Sequence, residues 1–245
     1  MRLTFAIFGL VIFASLGTSG CGDAPGRPVA EDTPITPSTI SDFNVLYGAN
    51  CAGCHGTDGK GGAAIALGNP VYLAIVDDAT LRRVASDGIQ GTSMPAFAQS
   101  AGGMLTDKQI DLIVHGMREH WSKPDVLQGS IPPPYSSAES GDVSRGAEVY
   151  ATHCQTCHGI GGRGGQKASS IVDGSLLALL SDQELRTIVI VGRPELGAPD
   201  WRGDLPGKPL SAENVSDVVT WLASQRPQFP GQPYAGSDKS TGETP

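Results

Sequence analysis

Aromatic side chains, methionine and basic residues are all scarce in this chain of 245 residues. Phe, Trp and Tyr make up 6% of it, and there are only 4 Met against 33 Gly and 18 Pro. So few large side chains predict thin cores that need help from something else. The 17 basic residues are outnumbered by 25 acidic ones, which disfavours a nucleic-acid binder because such proteins carry a basic face. Five Cys are also too few for a disulfide-dense scaffold.

The first twenty residues have the pattern of an export signal. Arg2 is followed by a mostly apolar run from Leu3 to Leu16 and then by small residues up to Gly20, which is typical of a secretory signal peptide. The run is shorter than the roughly 20 residues that a membrane-spanning helix needs. The sequence therefore predicts a signal peptide over residues 1–20 and a mature protein on the periplasmic or cell-surface side.

The residues at the end of this signal resemble a bacterial lipobox, in which a cysteine becomes the lipidated N-terminus after cleavage. The match covers Ser19, Gly20 and Cys21 and is weaker at Thr18, where the pattern prefers Leu. An ordinary cleaved signal or an uncleaved anchor is the alternative. Residues 21–40 are rich in Pro, Asp and Thr and are expected to form an extended tether. The resemblance implies a membrane-anchored lipoprotein held through Cys21.

The other four cysteines form the pattern Cys-x-x-Cys-His twice, at residues 51–55 and 154–158. Thiols at this spacing reach the two vinyl groups of a haem as thioethers, and the adjacent histidine lies under the iron as an axial ligand. A zinc site would want a second pair of ligands in the same small unit, and a redox dithiol would lie in a βαβ pattern that is absent. The motifs predict two covalent haem c groups. Their attachment residues are Cys51, Cys54, Cys154 and Cys157, and their histidine ligands are His55 and His158.

Both motifs belong to a longer internal repeat. Equivalent residues recur at a nearly constant offset, which predicts two copies of one unit over residues 41–121 and 142–228. Residues 122–141 include three successive prolines and are expected to form a stiff linker, and residues 229–245 a flexible tail. Matching pairs include Tyr47 and Tyr150, Gly56 and Gly159, Leu73 and Leu177, and Leu105 and Leu210.

Local signals in both copies are helical, and no stretch predicts a sheet. Residues 42–50 and 142–153 are expected to form the first helix of each copy and to deliver the cysteine pair. Capping boxes over residues 106–109 and 181–184 predict two further helix starts. Apolar residues at helical spacing predict a packing face in a later helix of each copy. These are Ile110, Ile113, Val114, Met117 and Trp121, and Val215, Val218, Val219 and Leu222.

Each copy resembles a monohaem cytochrome c domain in its motif, its helices and its glycine-rich loop. The pair resembles a dihaem c-type cytochrome, as in the dihaem subunits of cbb-type oxidases or of alternative complex III. The resemblance implies an all-α fold with two cytochrome c-like domains. It also implies membership of an electron-transport system.

The two copies differ where the second axial ligand is expected. A Met-Pro pair at Met94 resembles the distal ligand loop of such cytochromes, so Met94 is the predicted iron ligand, with Met104 as the alternative. Alignment places Ala198 opposite Met94, and no methionine follows Met117. The second haem is therefore predicted to be five-coordinate or to be bound by another group. Candidates are Lys208, Lys167, water, a residue of the first copy, or a partner protein.

These features favour electron transfer between donor and acceptor redox proteins, by a tethered carrier or a docked subunit with no catalytic residues. A haem with both axial positions filled suits this task, and an acidic surface suits steering toward basic partners. The alternative is a peroxidase-like enzyme or a small-ligand sensor that uses an open second haem. Charged residues near the expected distal side of that haem fit this alternative, namely Arg193, Glu195, Asp200 and Arg202.

Overall fold

The computed structural model describes residues 34–203, 205 and 207–227. The predicted signal peptide, Cys21 and the predicted C-terminal tail lie outside these residues, as does most of the predicted tether. The chain divides into two compact units, Met1–Thr39 and Ile40–Pro245. The described part of the first unit contains a short 3₁₀ helix. Both copies of the repeat lie in the second unit.

Ten α-helices occur in the described part of the chain, five in each copy of the repeat. No strand and no helix long and apolar enough to cross a membrane occurs in the same residues. The all-α prediction is therefore confirmed. The helices of the first copy are α1 (Phe43–Asn50), α2 (Ala52–His55), α3 (Pro70–Ile75), α4 (Asp78–Asp87) and α5 (Asp107–Trp121). Those of the second are α6 (Val143–His153), α7 (Gln155–His158), α8 (Gly174–Leu179), α9 (Asp182–Val191) and α10 (Ala212–Ser224).

Both predicted capping boxes are present. The Thr106 hydroxyl accepts from the Gln109 backbone N–H while the Gln109 side chain accepts from the Thr106 N–H. Ser181 and Glu184 make the same reciprocal pair at the start of α9. Each box satisfies two of the N–H groups that a helix start leaves without an intrahelical partner. The starts of α5 and α9 are thus fixed by their own sequence.

The first helix of each copy packs against the last one through the predicted apolar faces. Asp42 and Asp142 cap α1 and α6, so each helix begins one residue later than predicted, and the aspartate is its N-cap. Trp121 is partly buried at its end of the face. The other members of both faces are buried: Ile110, Ile113, Val114, Met117, Val215, Val218, Val219 and Leu222.

The crossing of these helices uses a glycine and an aromatic residue in both copies, with the two roles exchanged between the helices. A Cβ atom at Gly146 would lie 2.1 Å from the carbonyl oxygen of Asp217 and 2.7 Å from Cβ of Trp221. In the first copy Phe43 takes the place of Gly146, and a Cβ at Gly116 would lie 2.1 Å from the Phe43 ring. The two helices therefore approach closely at a glycine in both copies.

An arginine near the end of each copy ties the end of its third helix to the start of its fourth. Arg118 donates to the carbonyl oxygens of Leu73 and Val76, and its Nε lies 2.6 Å from a carboxylate oxygen of Asp78. Arg226 makes the same three kinds of contact, although it lies just beyond α10 whereas Arg118 lies within α5. Its acceptors are the equivalent residues Leu177, Leu180 and Asp182.

The proline-rich linker packs on α9. The guanidinium of Arg186 donates twice to the Pro134 carbonyl oxygen, each time at 3.0 Å, and the Gln183 amide donates to the Tyr135 carbonyl at 2.7 Å. The Tyr135 ring also lies 6.5 Å from the ring of Tyr72 in the first copy. The linker therefore contacts both copies.

Candidate haem sites

Each Cys-x-x-Cys-His motif starts at the end of the first helix of its copy and continues as a single helical turn, α2 or α7. Cys51 and Cys154 are the C-caps of the preceding helices, and the histidine is the last residue of each turn. His55 is buried, while His158 is partly exposed. The cysteine side chains are partly buried except for Cys54, which is exposed. The two motifs thus have the same local backbone and differ in the exposure of the histidine.

The chemistry of the thiols separates the haem prediction from its alternatives. Burial, with a smaller contribution from Cys54, raises the pKa of the Cys51 thiol to about 11. Burial and Cys157 raise that of Cys154 to about 11 as well. Redox-active cysteines have lowered pKa values, so the raised values at Cys51 and Cys154 disfavour a redox dithiol. No group of three or more His, Cys, Asp or Glu side chains placed to hold a metal ion occurs in the described part of the chain.

Both motif histidines are oriented by a backbone carbonyl. The Nδ1 atom of His55 lies 2.8 Å from the Ile65 carbonyl oxygen, and that of His158 lies 3.1 Å from the Ser169 carbonyl oxygen. A carbonyl only accepts, so Nδ1 carries a proton in both rings and Nε2 is the nitrogen left for a ligand. Burial also lowers the pKa of His55, against the opposing effect of this hydrogen bond, and so favours the neutral ring. Both histidines are therefore prepared to bind iron through Nε2.

A tyrosine closes the turn after each histidine, which sequence reasoning did not assign. The Tyr47 hydroxyl donates to the Gly56 carbonyl at 3.0 Å, and the Tyr150 hydroxyl donates to the Gly159 carbonyl at 2.5 Å. Burial raises the pKa of both tyrosines, so both hydroxyls stay protonated donors. The recurrence of this tyrosine at the same place before each motif was the signal that could have identified it.

Glycine loops follow the motifs and lie against them. A Cβ at Gly62 would lie 2.1 Å from the Cys54 carbonyl oxygen, and one at Gly165 would lie 3.0 Å from that of Cys157. The absence of a side chain lets each loop pass close to its cysteine pair. Paired cysteines, an adjacent imidazole held through Nδ1 and a close backbone cradle together fit a covalently bound haem c.

The loops that follow α4 and α9 have equivalent backbones. The Ile89 N–H donates to the Met94 carbonyl at 3.0 Å, and the Arg193 N–H donates to the Ala198 carbonyl at the same distance. Both loops begin with a glycine of positive φ that packs against the end of the loop. The structure therefore places Ala198 at the position of Met94. Met94 is partly buried, whereas Met104, the alternative ligand, is 79% exposed.

The charged residues near the second of these loops are paired with one another. Arg193 and Glu195 lie 2.5 Å apart, as do Arg202 and Asp200. Arg202 also lies over the ring of Trp201, 4.8 Å from its centroid. Two lysines proposed as ligands, Lys167 and Lys208, are exposed. The guanidinium groups are therefore occupied by carboxylates of the same loop.

Tandem Cys-x-x-Cys-His turns, each at the end of a helix in an all-α scaffold, define the class of c-type cytochromes. The family described as "Cytochrome C oxidase, cbb3-type, subunit III" matches residues 38–115 and again residues 141–222. These matches cover more than half of the chain, so the chain belongs to this family of cytochrome c proteins. The two matches coincide with the two copies of the repeat.

Individual relatives come from respiratory complexes by name. The cytochrome bc1 complex cytochrome c subunit of Mycobacterium bovis is 21% identical over 224 residues, which cover 90% of this chain and 76% of that protein. The cbb3-type cytochrome c oxidase subunit FixP of Bradyrhizobium diazoefficiens is 26% identical over 213 residues, which cover 82% and 66%. A chain of the reducing HAO-like protein complex of Kuenenia stuttgartiensis covers 78% of this chain and 97% of its own length at 15% identity, with a TM-score of 0.41.

Proposed function

We propose that this chain transfers electrons through two covalently bound c-type haems, one in each copy of the repeat. The observation that supports this most strongly is the repetition of one arrangement. In both copies a partly buried thiol with a raised pKa begins the motif, and the histidine Nδ1 is bonded to a carbonyl. Two sites with the same arrangement of cysteine and histidine side chains are expected to bind the same cofactor.

The residues of each site have separate tasks. We assign haem attachment in the first site to Cys51 and Cys54 and iron ligation to His55 and Met94. The second site has the equivalent cysteines and His158, and Ala198 stands where the methionine would be. A haem held in such a site supplies a ferric/ferrous couple that takes up and releases one electron. The protein's part is to bind it, to hold the imidazole by its Nδ1–H and to fill the remaining ligand position.

The setting of this activity follows from the sequence and the relatives. The signal pattern and the lipobox at Cys21 favour a lipoprotein outside the cytoplasm, anchored to the membrane through that cysteine. The relatives named as subunits of the bc1 complex and of a cbb3-type oxidase favour docking to membrane complexes. The partners are therefore a donor and an acceptor redox protein. Each transfer moves one electron from the donor to this chain or from this chain to the acceptor.

A second candidate function is favoured by Ala198. An alanine cannot bind iron, so the second site would have an open position for a small ligand or for peroxide. The pairing of Arg193 with Glu195 and of Arg202 with Asp200 leaves little charged machinery for activating peroxide, which favours ligand binding over an enzyme. Steady-state turnover of peroxide with a reduced donor separates these two outcomes.

The haem count tests the proposed function directly. The intact purified protein should show two haems per chain by the absorbance of its pyridine haemochrome and by mass. Replacing Cys154 and Cys157 by Ala should remove one haem, and replacing Cys51 and Cys54 by Ala should remove the other. A single haem in the wild-type protein, or a haem content unchanged by either pair of substitutions, would contradict the proposal.

A further inference from the structure

One loop of the first copy, residues 62–69, both orients the motif histidine and contacts the second copy. The Ile65 carbonyl in its middle accepts from Nδ1 of His55 at 2.8 Å. At one end of the loop the Gly62 carbonyl accepts a hydrogen bond from the second copy, and at the other end the Asn69 side chain donates one to it. The loop is therefore held on one side by the histidine and on the other by the neighbouring repeat.

Asn69 makes the deeper of the two contacts between the copies. It is 1% exposed, and its Oδ1 accepts from the N–H groups of Val71 and Tyr72 at the start of α3. Its Nδ2 donates to the Val191 carbonyl at 3.0 Å. Val191 is the last residue of α9 and directly precedes the loop of residues 192–199 that contains Ala198. A buried hydrogen bond thus joins the loop of the first site to the distal loop of the second.

Arg193 makes the other contact. Its NH2 group donates to the Gly62 carbonyl at 3.0 Å while its Nε is 2.5 Å from Glu195, and both side chains are only 17% exposed. The planar guanidinium donates to Glu195 through Nε and to Gly62 through its NH2 group, and the ammonium group of a lysine cannot reproduce this geometry. The equivalent residue of the first copy is Ile89, which has no such donor.

The corresponding loop of the second copy, residues 165–173, is held differently. Both loops bond within their own copy, through Gly68 to Gly59 in the first and Ile171 to Gly162 in the second, and the 62–69 loop adds the two contacts with the other copy. The Ser169 carbonyl lies 3.1 Å from Nδ1 of His158, which is partly exposed, against 2.8 Å for the buried His55. The shorter contact thus occurs in the loop that the other copy holds.

We propose that residues 191–193 of the second copy clamp the 62–69 loop and so position the imidazole of His55, which makes the first haem site responsive to the distal loop of the second. The inference rests on the proposed function, because it assumes that both sites hold a haem. A hydrogen bond from Nδ1 increases the basicity of a ligating histidine and favours the oxidised iron. Coupling between two sites is reciprocal, so a change at the second distal loop would be felt at His55.

The experiment uses the full-length haem-loaded protein and substitutions that conserve charge. Asn69→Ser keeps an oxygen for the N-cap of α3 and removes the donor to Val191. Arg193→Lys keeps the positive charge and breaks the double contact. Arg82→Lys is the matched control, because Arg82 pairs with Asp107 and Asp111 on the α4–α5 face instead.

Two readouts follow the clamp independently. In the reduced protein, exchange of the His55 Nδ1 proton with solvent, measured by NMR on ¹⁵N-histidine, should become about fivefold faster in both variants, since the loop opens more readily. In a spectrally resolved redox titration, the ratio of reduced to oxidised first haem at a fixed potential should rise about fivefold. The second haem and the control should match the wild type.

Unchanged exchange and an unchanged first-haem ratio in both variants would overturn the clamp, as would a shift confined to the second haem. If Asn69→Ser does not fold, Arg193→Lys decides alone, because its side chain is replaced near the surface. Haem content is measured on the same samples. Fewer than two haems would contradict the proposed function, and the proton exchange at His55 would still decide the clamp.

Discussion

In the first copy the Phe43 ring lies over Gly116 at the crossing of the first and last helices, whereas in the second copy Trp221 lies over Gly146. Both crossings depend on a missing side chain, which the last helix supplies in the first copy and the first helix supplies in the second. Arg118 and Arg226 likewise make equivalent contacts from non-equivalent positions. The two copies thus share the geometry of these contacts, although residues at different positions make them.

Around the motifs, in contrast, the same residue types occur at the same positions in both copies. Tyrosine, histidine and the glycines of the motif loops occupy the same positions in both copies and make the same hydrogen bonds. The loops between Gly88 and Pro95 and between Gly192 and Pro199 then differ at all six intervening positions, which include Met94 against Ala198 and Ile89 against Arg193. The two copies are therefore alike around the Cys-x-x-Cys-His motifs and unlike in the loops that contain Met94 and Ala198.

The largest effect is expected from making the two distal loops alike. Ala198→Met should supply a sulfur ligand, add a second methionine–iron charge-transfer band and raise the potential of the second haem on the order of 0.1 V, since axial ligands tune haem potentials over about 0.8 V. Carbon monoxide should bind the reduced wild-type protein at one haem per chain and the variant much less.

Met94→Ala is the reciprocal change and should remove the band that the wild-type protein shows. Met104→Ala is its control and should leave that band intact, because Met104 is 79% exposed. A wild-type protein with two methionine-ligated low-spin signals in its EPR spectrum would show that the copies do not differ in ligation.

A smaller effect is expected at the helix crossing. Gly146→Ala places a Cβ against the backbone of α10 and should lower the free energy of unfolding by about 3 kcal/mol, the cost of overpacking a close contact. Gly48→Ala in α1 is the matched control, because no atom lies within 4 Å of the added Cβ. It should raise stability by up to about 1 kcal/mol through helix propensity. Urea denaturation of the haem-loaded proteins measures both, and similar losses would refute the crossing.

The smallest effect concerns the two arginines near the ends of α5 and α10. Arg118→Ala and Arg226→Ala should each cost about 2 kcal/mol, because each removes hydrogen bonds from a charged donor to carbonyls at a helix end. The exposed Arg83 is a control, for which Arg83→Ala should cost less than about 0.5 kcal/mol. If only one of the two substitutions destabilises the protein, the contacts are not equivalent in the way that their geometry indicates.

The features that the sequence predicts correctly are those that depend on local spacing. The capping boxes at Thr106 and Ser181, the first helices and the apolar faces of α5 and α10 all follow from residues within one or two helical turns. Phe43 stands where the second copy has Gly146, and the compensating pair of Gly116 with Trp221 lies on another helix, so the sequence alone does not reveal the shared crossing. Contacts such as Asn69 to Val191 join residues far apart in the chain and leave no local pattern.

Arg186 has a consequence for how the molecule can be divided. Arg186 is 5% exposed, and the acceptors of its guanidinium are the Pro134 carbonyl in the linker and the Ser216 hydroxyl on α10. A fragment that begins at residue 142 would keep the buried cation and lose its main acceptor, and an unsatisfied buried charge is costly. The second copy as a folded unit therefore includes part of the linker that precedes residue 142. A second copy cut free for study, or joined to another protein, should carry the prolines with it.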